Sequence, residues 1–189
     1  RYGGGAAGTY TAALYFGGGY PYKTNNESWN GSSWTEVADL NAAKGGSTGS
    51  GATNTAAIIA GGGPSPVDAQ TELWNGSSWT EVNDLNTGRS SMCGAGIATA
   101  GLAWSGFNPS NTTGTTLNES WNGSAWTEVG DLNTSRTDTS GSGTYTSALT
   151  YAGRNPSGRL TNVEDWDGVA WTETSDVSTA RDDAANTQC

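Results

Sequence analysis

The chain has 189 residues, enough for one domain with a sizeable core. Its formal net charge of -10, from 18 acidic and 8 basic residues, argues against a nucleic-acid partner, and its lack of His removes the commonest general base and transition-metal ligand. Nine Trp and seven Tyr in a chain only 33% hydrophobic argue against disorder, and no stretch is long and apolar enough for a membrane-spanning helix.

In chain order, the elements arrive as one phrase repeated. Residues 3–8 are all Gly and Ala, and residues 12–16 form an apolar strand closed by Gly17 and Gly18. A loop follows, then a strand ending at Trp29, an Asn30-Gly31 turn and a strand opening at Trp34. Asn-Gly between two such runs is a hairpin signal. The second copy runs from small residues 45–51 through 56–60, Gly61 and Gly62 to Trp74 and Trp79. The third runs from 90–96 through Ser105 and Gly106 to Trp121 and Trp126. The fourth runs from 136–143 through 145–151, Ala152 and Gly153 to Trp166 and Trp171. No helical periodicity appears anywhere.

Trp29, Trp74, Trp121 and Trp166 stand 45, 47 and 45 residues apart. A fixed period in the forties denotes one supersecondary unit copied along the chain. Each unit reads as a four-stranded antiparallel meander. Side-chain bulk grows along it, from Gly, Ala, Ser and Thr, through medium apolar residues, to the tryptophans. A radial arrangement needs that order: small residues fit where sheets crowd an axis, and large rings fill the wedge where they splay. The expected fold is all-β, a four-bladed β-propeller. It forms one domain over 1–189, with repeats at about 1–44, 45–88, 89–135 and 136–180.

The phrase resembles the kelch repeat. The residues that carry the likeness are Arg1, Lys44, Arg89 and Arg136 at the head of each copy and the Gly17-Gly18 and Gly61-Gly62 doublets. Trp29, Trp74, Trp121 and Trp166, where kelch has Tyr, and then Trp34, Trp79, Trp126 and Trp171 complete it. The likeness covers essentially the whole chain and implies a kelch-like propeller. It departs in a shorter aromatic spacing, in a doublet that decays at Ser105 and Ala152, and in fewer copies. The WNGSSWTEV wording also resembles repeats in tail and appendage proteins of bacteriophages and environmental bacteria, which implies a virion or fibre setting.

Residues 181–189 restart the phrase and are surplus to four copies. They either close the ring from the far terminus, belong to a longer array, or pair with a neighbouring subunit through an exposed strand edge. The chain opens on Arg1 and not on Met, which reads as a processed product or a piece of a longer protein.

The pairs Asp39/Lys44, Asp84/Arg89, Asp131/Arg136 and Asp176/Arg181 recur at one spacing, so they are expected as ion pairs fixing the turns between blades. Glu27, Glu72, Glu119 and Glu164 recur two residues before each first Trp and share its side of the strand. A glycosidase carboxylate pair belongs once to an active site, not once to every blade. The eight repeated Trp are expected in the core, with Trp104 packing at the Phe16 position. Turn chemistry accounts for most of the Asn-x-Ser/Thr sequons. No cofactor or metal is expected, since Asp167, Asp182 and Asp183 lack the spacing of a calcium loop. Cys93 and Cys189 can form at most one disulfide.

The copies differ most in the loop after the second strand, which a meander places on the same face as the loop between blades. Tyr20, Tyr22 and Lys23 in the first copy, Phe107 in the third, and Arg154 and Arg159 in the fourth are the candidate binding residues, because exposed Tyr, Phe and Arg anchor interfaces. No catalytic residue is expected. The function expected is a non-enzymatic structural or adhesive module on an extracellular or virion-surface assembly. Its partners would be other structural proteins of that assembly, further copies of itself, or glycans. A lectin with one sugar site per blade is the alternative. A galactose-oxidase-like enzyme is the remote one, since that resemblance implies His and Tyr copper ligands and the chain has no His.

Overall fold

The computed structural model describes residues 3–63, 68–108, 110 and 113–182. The first sheet is β1 (Gly5–Thr9), β2 (Ala12–Phe16), β3 (Asn26–Trp29) and β4 (Trp34–Val37). The second is β5 (Thr48–Thr53), β6 (Ala56–Ala60), β7 (Thr71–Trp74) and β8 (Trp79–Val82). The third is β9 (Cys93–Ile97), β10 (Ala100–Trp104), β11 (Asn118–Trp121) and β12 (Trp126–Glu128). In the fourth, β13 (Ser140–Thr144) and β14 (Ser147–Tyr151) are followed by a small hairpin, β15 (Arg154–Asn155) and β16 (Gly158–Arg159), and then by β17 (Val163–Trp166) and β18 (Trp171–Thr174). Each four-stranded sheet is an antiparallel meander with neighbours in chain order. The small hairpin is absent from the sequence-based expectation, although Asn155-Pro156-Ser157-Gly158 is turn chemistry. The Asn155 side-chain carbonyl accepts the Ser157 N–H at 2.9 Å.

The sheets meet through their innermost strands, β1 beside β5, β5 beside β9 and β9 beside β13. They are the four blades of an all-β propeller, and the predicted taper is its packing rule. A methyl on Gly49 would lie 2.7 Å from the Phe16 ring and 3.1 Å from Gly5 Cα. A methyl on Gly141 would lie 2.5 Å from the Trp104 ring and 3.1 Å from Cys93 Sγ. Only bare backbone fits between rings at that radius.

Three apolar clusters bind four blades. Leu14, Phe16 and Leu40 of the first blade pack on Ala57, Ile59, Trp74 and Trp79 of the second. Ile58 and Leu85 of the second pack on Met92, Ala103, Trp121 and Trp126 of the third. Leu102, Trp104 and Leu132 of the third pack on Ala148, Trp166 and Trp171 of the fourth. Among the described residues no fourth cluster joins the last blade to the first. Over the described residues the blades form an open arc.

The expectation of eight core Trp is corrected accordingly. Six are buried, but Trp29 is half-buried and Trp34 is 50% exposed, because among the described residues no other blade packs on that face of the first. Within each blade the pair stands directly opposite across the outer hairpin, at 5.4–5.6 Å between ring centroids. The first Trp of each pair donates its indole N–H to a carbonyl in the inner turn: Tyr10, Asn54, Ala98 and Tyr145 respectively, at 3.0–3.1 Å. The outer hairpin is thus pinned along the inner one. Trp104 packs as expected, fully buried, 5.3 Å from the Trp171 ring, with its N–H on Thr150 Oγ1 at 2.9 Å.

The ion-pair expectation is also corrected. Arg89 pairs not with Asp84 but with Glu119, at 2.9 Å, and Arg136 pairs with Glu164, at 2.6 Å. Lys44 pairs with Asp68 at 2.8 Å. The arginine fork also takes the carbonyls of Ser105 and Leu117 in one blade, and of Ala152 and Asn162 in the next. Arg89 and Arg136 have no solvent-exposed area, so burial lowers their pKa against the opposing pull of the paired glutamate. The aspartates instead brace the start of the third strand: Thr24, Thr116 and Thr161 hydroxyls donate to Asp39, Asp131 and Asp176, and Thr71 N–H donates to Asp84. Sequence spacing suggested local pairs, whereas the sheet brings together groups about thirty residues apart.

Candidate functional site

The variable loops are launched by the small-residue doublet. Its first member adopts positive φ, near 65° at Gly17 and Gly61 and 60° at Ser105 and Ala152. Its second donates its N–H to the carbonyl of the residue heading the next blade: Gly18 to Lys44, Gly62 to Arg89, Gly106 to Arg136 and Gly153 to Arg181, at 2.7–3.0 Å. The chain then turns over the inter-blade segment. Isolated bridges Lys23–Lys44, Ser90–Phe107, Thr137–Arg154 and Leu160–Arg181 confirm that both loop types share one face.

At the mouth of the arc on that face, one residue of each blade takes positive φ: Gly3 at 67°, Gly46 at 63°, and Ser91 and Asp138 at 52°. Their backbones form a chain of hydrogen bonds from blade to blade. Asp138 N–H donates to Ser91 C=O at 3.2 Å, Ser91 to Gly46 at 2.7 Å and Gly46 to Gly3 at 2.9 Å. A left-handed conformation is unfavourable for Ser and Asp and is held here by these bonds.

Between the third and fourth blades the loop face opens into a cleft of about 450 Å³, lined by Ser91, Phe107, Thr137, Asp138, Arg154 and Pro156, among others. It brings together two of the six expected binding residues, Phe107 and Arg154. The Arg154 side chain is 58% exposed and places Nε 2.6 Å from Asp138 Oδ2. Arg159 stands opposite Arg154 in the small hairpin, with Nε 2.6 Å from Asp182 Oδ1. The hydrogen bond from Arg159 holds the Asp182 carboxyl below the usual carboxylate range. Tyr20, Tyr22 and Lys23 are not lining residues of this cleft; they lie on the first blade. Tyr20 is largely exposed and meets Tyr22 edge-on at 6.1 Å, and the Tyr22 ring covers Gly45. Tyr22 is thus part of a platform over the first inter-blade turn.

Ser91, Thr137 and Asp138 were missed by the sequence reading. The signal was present: Ser90-Ser91 and Thr137-Asp138 stand where the second copy has Gly45-Gly46, and polar side chains at a strained glycine position mark the third and fourth lips. A second hollow, about 370 Å³, follows the inner strands of the first two blades and is lined by Gly, Ala, Ser and Thr without a charged group. Among the described residues no group of three or more His, Cys, Asp or Glu is arranged to hold a metal. Burial pushes the Cys93 thiol up to about 12, and Cys189 lies outside the described residues. The cleft brings together one aromatic side chain, the guanidinium of Arg154 paired with Asp138, and hydroxyl groups.

No family model matches the chain, and no curated protein matches it. Among solved structures it is similar to YjhT, with a TM-score of 0.79 over 96% of this chain and 67% of that one. At 13% identity this likeness shows the fold alone.

Proposed function

We propose that the chain is a non-enzymatic, kelch-like binding module of an extracellular or virion-surface assembly, such as a tail fibre or appendage, which docks a protein or glycan partner on its loop face. The observation carrying this reading is the convergence of Phe107 and Arg154, from the loops where the copies differ most, on one cleft between two rigid blades. Loops on a rigid scaffold are where binding groups gather. The lectin reading with one site per blade has less support, because the repeated indoles of the second to fourth blades are buried and offer no face to a sugar.

The test is a glycan and carbohydrate-polymer array probed with the 189-residue chain, alongside particles of the parent assembly. Saturable binding is expected to weaken at least tenfold in Phe107→Ala and Arg154→Ala, with an unchanged melting temperature, since an exposed ion pair contributes little to stability. Binding that survives both substitutions refutes the cleft.

A further inference from the structure

The cleft between the third and fourth blades opens at a place that, one boundary earlier in the fold, a ring of the chain itself covers. Between the first two blades the bridge from Lys23 to Lys44 sets Tyr22 beside Gly45, and the Tyr22 ring lies over that glycine. Between the third and fourth blades the bridge from Thr115 to Arg136 sets Gly114 beside Thr137 in the same way. Gly114 has no side chain to lay over the turn, and its φ of 84° is one that other residues rarely adopt. Thr137 accordingly lines the cleft. It is 8% exposed, and its Oγ1 is buried without a hydrogen-bond partner among the described residues. Buried hydroxyls are ordinarily bonded, so one left over in the wall of a cleft points to a ligand atom.

The walls are fixed through the main chain. Phe107 and Ser90 exchange both backbone hydrogen bonds, at 2.7 and 2.9 Å, and Arg154 and Thr137 exchange both at 2.9 Å. Binding therefore need not order them. The two charged lining residues, Asp138 and Arg154, pair with each other at 2.6 Å, so the lining has no net charge. The neighbouring Arg159 is paired with Asp182. A compensated lining in a chain of net charge -10 gives an anion no counter-charge. The Asp138–Arg154 pair does present an acceptor beside a donor, which suits two adjacent hydroxyls. Serine and threonine hydroxyls and the apolar side chains of Phe107 and Pro156 make up most of the rest.

We infer that this cleft takes a neutral pyranose unit of a glycan. The inference rests on the reading of the loop face as a docking surface and narrows its partner to one class. The sugar ring takes the place over Thr137 that the Tyr22 ring has over Gly45. Its C–H surface meets Phe107, one hydroxyl bonds Thr137 Oγ1, and two adjacent hydroxyls bond Asp138 and Arg154. The volume of about 450 Å³ falls within the roughly 300–1,000 Å³ of small-ligand sites. A tyrosine side chain of a protein partner would also supply a ring, but it brings a single hydroxyl to a wall with several polar groups.

The experiment is saturation-transfer difference NMR of the 189-residue chain with the methyl glycosides of glucose, galactose and mannose. Each is run beside its uronate, which differs by a carboxylate at C6. At least one neutral glycoside is expected to bind saturably with a Kd of about 1 mM or tighter, and its uronate at least about tenfold more weakly. Thr137→Val keeps the side-chain shape and loses the hydroxyl, so it is expected to weaken binding at least about threefold without lowering Tm. Asp138→Asn strips Arg154 of its carboxylate at a position where Asn tolerates positive φ, and is expected to turn the preference toward the uronate. A neutral panel that stays silent up to about 20 mM overturns the inference. If Phe107→Ala still weakens capture of the parent assembly, the docking surface stands and its occupant is a protein; if it does not, both readings fail. A uronate that binds as tightly as its neutral counterpart, or a Thr137→Val variant that binds like wild type, overturns the inference as well.

Discussion

Replacing Glu164 by Gln removes one charge from a site with no solvent access. Glu164 Oε2 accepts the Asn133 N–H at 2.7 Å and its side-chain amide at 3.0 Å, while Oε1 accepts the Thr134 N–H at 3.1 Å and Arg136 at 2.6 Å. Four donors converge on one carboxylate, and both Glu164 and Arg136 are fully buried. An amide of the same shape turns its NH2 toward some of these donors and leaves the guanidinium without a counter-charge. Breaking a buried pair from one side costs about 3–5 kcal/mol. A buried donor left unpaired costs about 1–3 kcal/mol more. The expected loss is therefore at least about 4 kcal/mol, a large share of the roughly 5–15 kcal/mol that holds a domain together. Urea unfolding followed by Trp fluorescence measures it, with Glu173→Gln, the exposed residue directly opposite Glu164 on β18, as a control expected to change stability by less than about 0.5 kcal/mol. Replacing both partners, as Arg136→Leu with Glu164→Leu, is not expected to restore stability. It orphans the backbone N–H groups of Asn133 and Thr134, which Glu164 now satisfies. A loss below about 1 kcal/mol for Glu164→Gln would refute the view that these pairs hold the blades in register.

The pH dependence of Cys93 is a second prediction. Burial raises its thiol pKa to about 12 in the folded state, above the unfolded value near 9, so the unfolded chain releases its proton first. The stabilising contribution is present below about pH 9 and is lost as pH rises towards 12, at a limiting slope of about 1.4 kcal/mol per pH unit. Cys93→Ala should remove that component from the wild-type curve; parallel curves for the two proteins would contradict it. At the hub, Gly49→Ala drives a methyl against Phe16 and Gly5, and overpacking of this kind costs about 1–3 kcal/mol, lowering Tm by about 2–12 °C. An unchanged Tm there would mean that the inner strands have room to spare.

The repeat made the blades legible because period, taper and turn chemistry all pointed the same way. Asn30, Asn75 and Asn122 each fold their side chain back onto two backbone N–H groups of the outer turn. Asp167 does the same in the fourth blade, which explains how the looser fourth copy keeps its hairpin. What could not be read was pairing across the sheet. Asp84 and Arg89 are close in sequence, yet Glu119 is the carboxylate that the Arg89 fork reaches. Local spacing carries no information on which strand lies alongside. The site was half legible for a related reason. Phe107 and Arg154 stood out by residue type, whereas Asp138 joins them only because the inter-blade turn folds beneath their loops. The exposure of Trp34 could not be read from its own phrase, which is word for word that of the buried Trp79; only its place at the end of the arc distinguishes the two.

The linkage Asp138 to Ser91 to Gly46 to Gly3 is made entirely of main-chain groups. Positions 46, 91 and 138 accordingly carry a glycine, a serine and an aspartate without altering the hoop they form. Each lip can then acquire a new side chain by single substitutions that leave the tryptophan wedges untouched. A family of such modules could diverge in what it grips, one gap at a time, while keeping a common frame.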